Sequence, residues 1–283
     1  MKIEAVLAPT ELPALAKRDL REAACVVFDV LRATSTFVTA LHNGAKAIVP
    51  VSEISEALAI RKKQPEVLLG GERDGVRIRA GQTGGVDFDL GNSPREYTPE
   101  RVRGKTIVST TTNGTRALRA CTGAKMVLAT SFLNLTATAE FVRTIQQAQV
   151  LLVCAGTREN EALEDVLAAG ALCEMLTTSG NAGIHAGEFP TRQQAGKMPA
   201  LPAQPQQRGA HGVTRPTFSD SAETARRVYA QAKSGLAAIV RTTENAQRLL
   251  AIPELRDDIS FCLQQDIFPL VAQMEADGAI RSI

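Results

Sequence analysis

Lys105-Thr106-Ile107-Val108-Ser109-Thr110-Thr111-Thr112-Asn113-Gly114-Thr115 passes from a β-branched run, through four hydroxyl residues, into an Asn-Gly-Thr turn. Thr106 to Ser109 reads as a short buried strand and Thr115 to Arg119 as the first turn of a helix. A strand that ends in hydroxyls and restarts as a helix is the unit of an α/β sheet. Gly114 is expected to take positive φ, with Asn113 or Thr115 as cap, so that several N–H groups point outward. Such a turn is an anion site in outline. The plainer reading is an ordinary capped turn, and the four preceding hydroxyls weigh against it.

The same pattern occurs upstream. Ala24-Cys25-Val26-Val27-Phe28-Asp29-Val30 reads as a strand buried on both faces, as in the centre of a parallel sheet. It runs into Leu31-Arg32-Ala33-Thr34-Ser35-Thr36-Phe37, where three hydroxyl residues precede a helix ending near Asn43-Gly44. Further strands are expected at Lys2 to Leu7, Ala45 to Val51, Val67 to Leu69, Lys125 to Ser131 and Val150 to Ala155, with a last one near Ala279 to Ile283. Helices are expected from Ser52 to Lys63, Asn134 to Gln147, Glu161 to Leu176 and Ser234 to Leu250. Strands and helices alternate, which predicts an α/β fold. Gly70-Gly71-Glu72-Arg73-Asp74-Gly75 then falls at a strand end, where open α/β sheets place their active-site loops.

The formal net charge is only +2 and aromatics are 4% with no Trp, which excludes a broad basic nucleic-acid surface and stacking platforms for single strands. No apolar segment is long enough to span a bilayer, so no membrane partner is expected. Five cysteines are scattered without a Cys-x-x-Cys pair, which fits a reducing, cytoplasmic setting and buried structural thiols. From Gly180 to Pro216 the chain is rich in Gly, Pro, Gln and Ala and reads as an exposed insertion; His185 and His211 within it have no metal-ligand spacing.

Acids and hydroxyl-rich turns near strand ends suggest metal-assisted phosphoryl chemistry, because magnesium favours carboxylate and water oxygens. The chain has no P-loop, no Gly-x-Gly-x-x-Gly after a strand and no Gly-x-Ser-x-Gly elbow. Phe28 to Thr36, Gly70-Gly71-Glu72-Arg73, Phe88-Asp89-Leu90-Gly91-Asn92-Ser93-Pro94, Thr110 to Thr115, and Glu164-Asp165 with Ala169-Gly170 occur in that order. Jointly these motifs resemble the 2-phosphosulfolactate phosphatase (ComB) family, with weaker likeness at Asp220-Ser221-Ala222 and Asp258.

The resemblance implies a magnesium-dependent (Mg2+) phosphatase that converts 2-phospho-3-sulfolactate to 3-sulfolactate and phosphate, a coenzyme M biosynthesis-type step. It also implies a layered α/β/α fold of two α/β parts, divided here at 1–145 and 146–283, the second of which contains the flexible insertion that composition places at about 180–217. Asp29, Glu72, Asp89 and Asp165 are the candidate acids, with Asp29, Glu72 and Asp165 as metal ligands, and Arg32 and Arg73 are candidate anion clamps. Thr34, Ser35, Asn92, Ser93, Thr110, Thr111, Asn113, Gly114 and Thr115 are the candidate substrate-binding residues. The nucleophile, water or an aspartate, stays open, as does a homo-oligomer. Two departures from the family pattern stand out, Gly84-Gly85-Val86-Asp87 ahead of Phe88 and the long Gly180 to Pro216 segment. The alternatives are a phosphatase of another phosphorylated hydroxy acid and a non-enzymatic sensor of small dianions.

Overall fold

The computed structural model describes residues 1–145, 147–177 and 216–283, so the expected insertion as far as residue 215, with His185 and His211, lies outside the described residues. The strands are β1 (Lys2–Val6), β2 (Ala23–Phe28), β3 (Ala47–Pro50), β4 (Leu68–Arg73), β5 (Val76–Arg77) and β6 (Thr106–Thr110). They continue with β7 (Met126–Thr130), β8 (Gln149–Cys154), β9 (Thr217–Phe218), β10 (Ala272–Met274) and β11 (Ile280–Ser282). All lie in one mixed sheet of order β5-β4-β6-β3-β11-β10-β7-β2-β8-β1-β9.

All six residues of β2 are buried, as its unbroken apolar run requires, and β2 pairs in parallel with both β7 and β8. Ala24, Val26 and Phe28 enter one core, while Cys25 and Val27 enter another. The period-2 alternation of a strand thus serves two hydrophobic layers, which gives the α/β/α arrangement. The first core includes the helices Leu163–Thr177 and Asp220–Ala232. These two helices approach closely at Gly170, where an added Cβ would strike the Ala225 carbonyl and lie 2.8 Å from Tyr229 Cβ.

Two parallel sets, β4-β6-β3 and β7-β2-β8-β1, are joined by the antiparallel β10–β11 hairpin. Three antiparallel pairings in succession reverse the strand direction between the sets, and β11 meets β3 through the single pair Ile280–Ile48. The segments that follow β2 and β6 nevertheless meet, since a Cβ added at Gly114 would lie 2.6 Å from Asp29 Oδ2.

Three local expectations change. Gly70 to Arg73 belong to β4 itself, because β4 continues beside β6 and then turns through Asp74-Gly75 into β5. The helix expected over Ser234 to Leu250 is interrupted after Leu236–Val240, since the Thr243 hydroxyl accepts the Ala246 N–H and caps a new helix, Glu244–Ala251. The helix expected from Ser52 begins two residues later, as Ile54–Lys63, with Glu53 at its cap and no side-chain hydrogen bond there. All five cysteines are buried and unpaired. Burial pushes the Cys173 and Cys262 thiols up to about 12, and Cys154 well above the usual range, so these sulfurs are inert packing groups. No helix among the described residues is long and apolar enough to cross a membrane.

Candidate active site

A cavity of about 80 Å³ opens where the ends of β2, β4, β6 and β8 come together. Asp29, the residue after β2, is 8% exposed and lines it. Its Oδ1 accepts the Ala33 N–H at 3.1 Å, while Oδ2 has no hydrogen-bond partner among the described residues. Desolvation pushes the Asp29 carboxyl up to about 7; the Ala33 N–H opposes this, Glu72 and Glu164 add to it, and Arg32 moderates it.

Glu72, in β4, also lines the cavity and is 8% exposed. Its Oε1 accepts the Thr112 N–H at 2.9 Å and the Thr112 hydroxyl at 3.0 Å, and Oε2 accepts the Gly75 N–H at 2.7 Å. This carboxylate therefore clamps the β6 turn to the β4–β5 turn. Thr111, Thr112 and Asn113 from the β6 turn line the cavity beside Asn92. The Oδ1 atoms of Asn92 and Asn113 are buried without a partner, an arrangement that calls for a ligand or ordered water.

The turn itself differs from expectation. Gly114 opens the helix Gly114–Ala120 without a positive φ, and Asn113 stands at the cap with no side-chain bond. Gly114 is required by close approach, because an added Cβ would lie 2.6 Å from Asp29 Oδ2 and 2.7 Å from Ala33 Cβ. Thr115 braces the turn by donating its hydroxyl to the Thr111 carbonyl at 2.7 Å.

Several candidates are committed elsewhere. Thr34, Ser35 and Thr36 lie within the helix Ala33–His42, and their hydroxyls donate to the carbonyls of Asp29, Val30 and Asn92 at 2.8–2.9 Å. Thr110 donates to the Ser52 carbonyl at 3.0 Å and accepts from Arg73, whose guanidinium also donates to the Glu72 carbonyl at 2.7 Å. Neither Thr110 nor Arg73 is among the cavity-lining residues. Asp165 directs its two oxygens to the N–H groups of Val30 at 2.8 Å and Gly156 at 3.0 Å, tying the end of β2 to that of β8. Its carboxyl is raised well above the usual range by burial, then by Asp29 and Glu164. Asp89 is set apart from the cavity, where it pairs with Arg61 and accepts the Leu69 N–H at 2.7 Å.

Arg32 does line the cavity, but its charge is already matched: it donates to Asp258 Oδ2 at 2.7 Å and to the Gly75 carbonyl at 2.5 Å. Ser93 donates to the other Asp258 oxygen at 2.7 Å. Arg32 is 3% exposed and Asp258 fully buried, so Asp258→Asn leaves a buried, unbalanced guanidinium. Denaturant unfolding should show a loss of about 3–5 kcal/mol. A change under about 1 kcal/mol would show that water reaches and solvates Arg32.

Arg158, Asn245 and Arg248 also line the cavity and were not among the expected residues. Arg158 follows Gly156-Thr157 at the end of β8 and has φ of 56°, so the strand-end rule that pointed to Glu72 applied to it as well. Asn245 and Arg248, on the helix Glu244–Ala251, reach the cavity only through tertiary packing and have no local signal.

A sheet with helices on both faces and an acid-bearing cavity at its strand ends is the layout of an α/β protein whose candidate site lies beyond the carboxyl ends of its strands. The family model described as 2-phosphosulpholactate phosphatase matches residues 10–277, and the chain belongs to that family. A Caldanaerobacter subterraneus subsp. tengcongensis protein named probable 2-phosphosulfolactate phosphatase is 47% identical over 161 residues, 56% of this chain. That match spans 64% of the relative's own length, just short of two thirds. Proteins of the same name from Thermotoga maritima and Synechococcus sp. are 36% identical over 246 residues and 35% identical over 261 residues. These matches cover 87% of this chain and 86% of the first relative, and 91% of both chains for the second.

Proposed function

We propose that the chain is a magnesium-dependent phosphatase that hydrolyses 2-phospho-3-sulfolactate to 3-sulfolactate and inorganic phosphate, a step of coenzyme M biosynthesis type. The observation that carries the reading is Asp29, a buried carboxyl that lines the cavity and whose Oδ2 has no hydrogen-bond partner among the described residues. The family and the names of its relatives support the substrate.

The donors suit magnesium, since Asp29, Glu72 and the unpartnered amide oxygens of Asn92 and Asn113 are hard oxygen atoms. Among the described residues no group of three or more His, Cys, Asp or Glu side chains is arranged to hold a metal, and magnesium needs only one or two carboxylates beside its waters. Asp29 and Glu72 would hold the ion, which when bound supplies a Lewis acid and neutralises phosphate charge. Thr111, Thr112 and Asn113 position the substrate oxygens, and Glu72 keeps that turn in place through Thr112. Asp165 fixes the backbone on either side of Asp29 through its bonds to Val30 and Gly156.

Phosphate release from 2-phosphosulfolactate and from an aryl phosphate, with magnesium or with chelator, tests the proposal. Release from the sulfonated substrate that stops with chelator is the expected result. Saturable binding of sulfolactate without any turnover would instead identify a dianion sensor.

A further inference from the structure

Arg158 and Arg248 stand out in the cavity because their charges are not matched one to one. Arg248 pairs with Oε1 of Glu244 one helical turn away, and Arg158 reaches the same oxygen at 3.7 Å. Two guanidiniums thus share one carboxylate oxygen, and all three side chains are more than one third exposed: 68% for Arg158, 55% for Glu244 and 35% for Arg248. By contrast, Arg32 is locked by Asp258, and Arg73 by backbone carbonyls and Thr110. The exposed, incompletely matched positive charge of the cavity therefore sits on Arg158 and Arg248, whereas its acids, Asp29, Glu72 and Asp74, come from the end of β2, from β4 and from the β4–β5 turn.

The two arginines come from separate elements that are pinned together. Asn245 donates to the Thr157 hydroxyl at 2.5 Å and to Glu164 Oε1 at 2.8 Å, which joins the β8 turn to the helix Glu244–Ala251. This link fixes the spacing between Arg158 and Arg248 without using either guanidinium. We infer that Arg158 and Arg248 form a subsite for a second anionic group of the substrate, distinct from its phosphate, with Glu244 holding the pair until that anion displaces it. An oxyanion with three or two equivalent oxygens, a sulfonate or a carboxylate, offers each planar fork a matching set of acceptors. The subsite rests on the phosphatase reading for its role in turnover, but binding to it does not.

The test compares wild type, Arg248→Gln, Arg158→Gln and Glu244→Gln, each checked for an unchanged melting temperature. Affinities for 3-sulfolactate, lactate and inorganic phosphate are measured by calorimetry, and kcat/KM for 2-phosphosulfolactate, 2-phospholactate and an aryl phosphate. Either arginine variant should weaken 3-sulfolactate binding about tenfold or more, with a far smaller effect on phosphate. Glu244→Gln should strengthen sulfolactate binding, a sign that a merely structural ion pair would not give. The same arginine changes should lower kcat/KM for 2-phosphosulfolactate more than for the aryl phosphate. If 2-phosphosulfolactate loses its advantage over 2-phospholactate, the pair holds the sulfonate; if 2-phospholactate loses its advantage over the aryl phosphate, it holds the carboxylate. Turnover absent in wild type, with sulfolactate affinity still dependent on the arginines, would overturn the phosphatase and leave the subsite standing. Equal losses for sulfolactate and phosphate, or no loss in either arginine variant, would overturn the subsite.

Discussion

Asp29→Asn is expected to lower phosphate release on the order of 100- to 1000-fold while making the folded protein more stable at alkaline pH. The folded chain holds the Asp29 proton up to about pH 7, whereas the unfolded chain releases it near the ordinary carboxylate value, about 4. Between those values the folded state binds more protons, so stability falls as pH rises. The contribution is intact below the unfolded value and lost as pH passes the folded one. The amide that replaces the carboxylate keeps the Oδ1 acceptor for the Ala33 N–H but has no charge to desolvate. In chelator the variant should therefore gain about 2–4 kcal/mol over wild type at pH 8 and little at pH 4. Magnesium should raise the melting temperature of wild type at pH 8 and leave that of the Asp29→Asn variant unmoved. The same stability difference at both pH values, or turnover close to wild type, would remove Asp29 from the centre of the site.

Replacing Gly114 is expected to be nearly as damaging, whatever the side chain. The obstacle is the Cβ itself, set 2.6 Å from Asp29 Oδ2 and 2.7 Å from Ala33 Cβ, so Gly114→Asn should fare no better than Gly114→Val. Left-handed backbone would have favoured Asn, but Gly114 does not have it. Even Gly114→Ala must push Asp29 aside, with an expected loss of about 1–3 kcal/mol and more than tenfold in turnover. Adding Ala33→Gly removes one of the two obstructing groups and should restore part of the stability. A tolerated Asn beside a harmful Val, or a double variant no better than the single, would show that the fault lies elsewhere than in this contact.

The contrast between the two hydroxyl-rich turns explains how far the site could be read from residues. Thr34-Ser35-Thr36 and Thr110-Thr111-Thr112 look alike in sequence, yet the first helix begins at Ala33, which puts its hydroxyls where they reach back to carbonyls. The second helix begins later, at Gly114, so Thr111 and Thr112 remain at the cavity. A shift of a few residues in a helix start decides between brace and binding group, and sequence patterns place such boundaries poorly. The α/β class was legible because β2, β7 and β8 are apolar runs followed by helices. Asp29 and Glu72 were legible because strand ends in such sheets carry function. Asp89 and Asp165 had no such signal and were named only through the family resemblance, and their partners, Arg61 and the Val30 and Gly156 amides, are supplied by the tertiary fold. Arg248 is the converse, a site residue on an ordinary amphipathic helix.

The position of β8 between β1 and β2 also bears on how the chain reaches its native state. Val6 pairs with Val153 and Phe28 with Cys154, so the two earliest long strands are joined by residues more than a hundred positions later. Until Gln149 to Cys154 leave the ribosome, β1 and β2 lack the strand that belongs between them, and the apolar side chains of both have a bare backbone edge beside them. Contacts of such long sequence separation make folding slow, and open apolar edges favour association with other unfinished chains. Asp165, placed soon after β8, binds the backbone just beyond β2 and β8 together, so the carboxylate that braces the turn carrying Asp29 also latches the inserted strand β8 to β2.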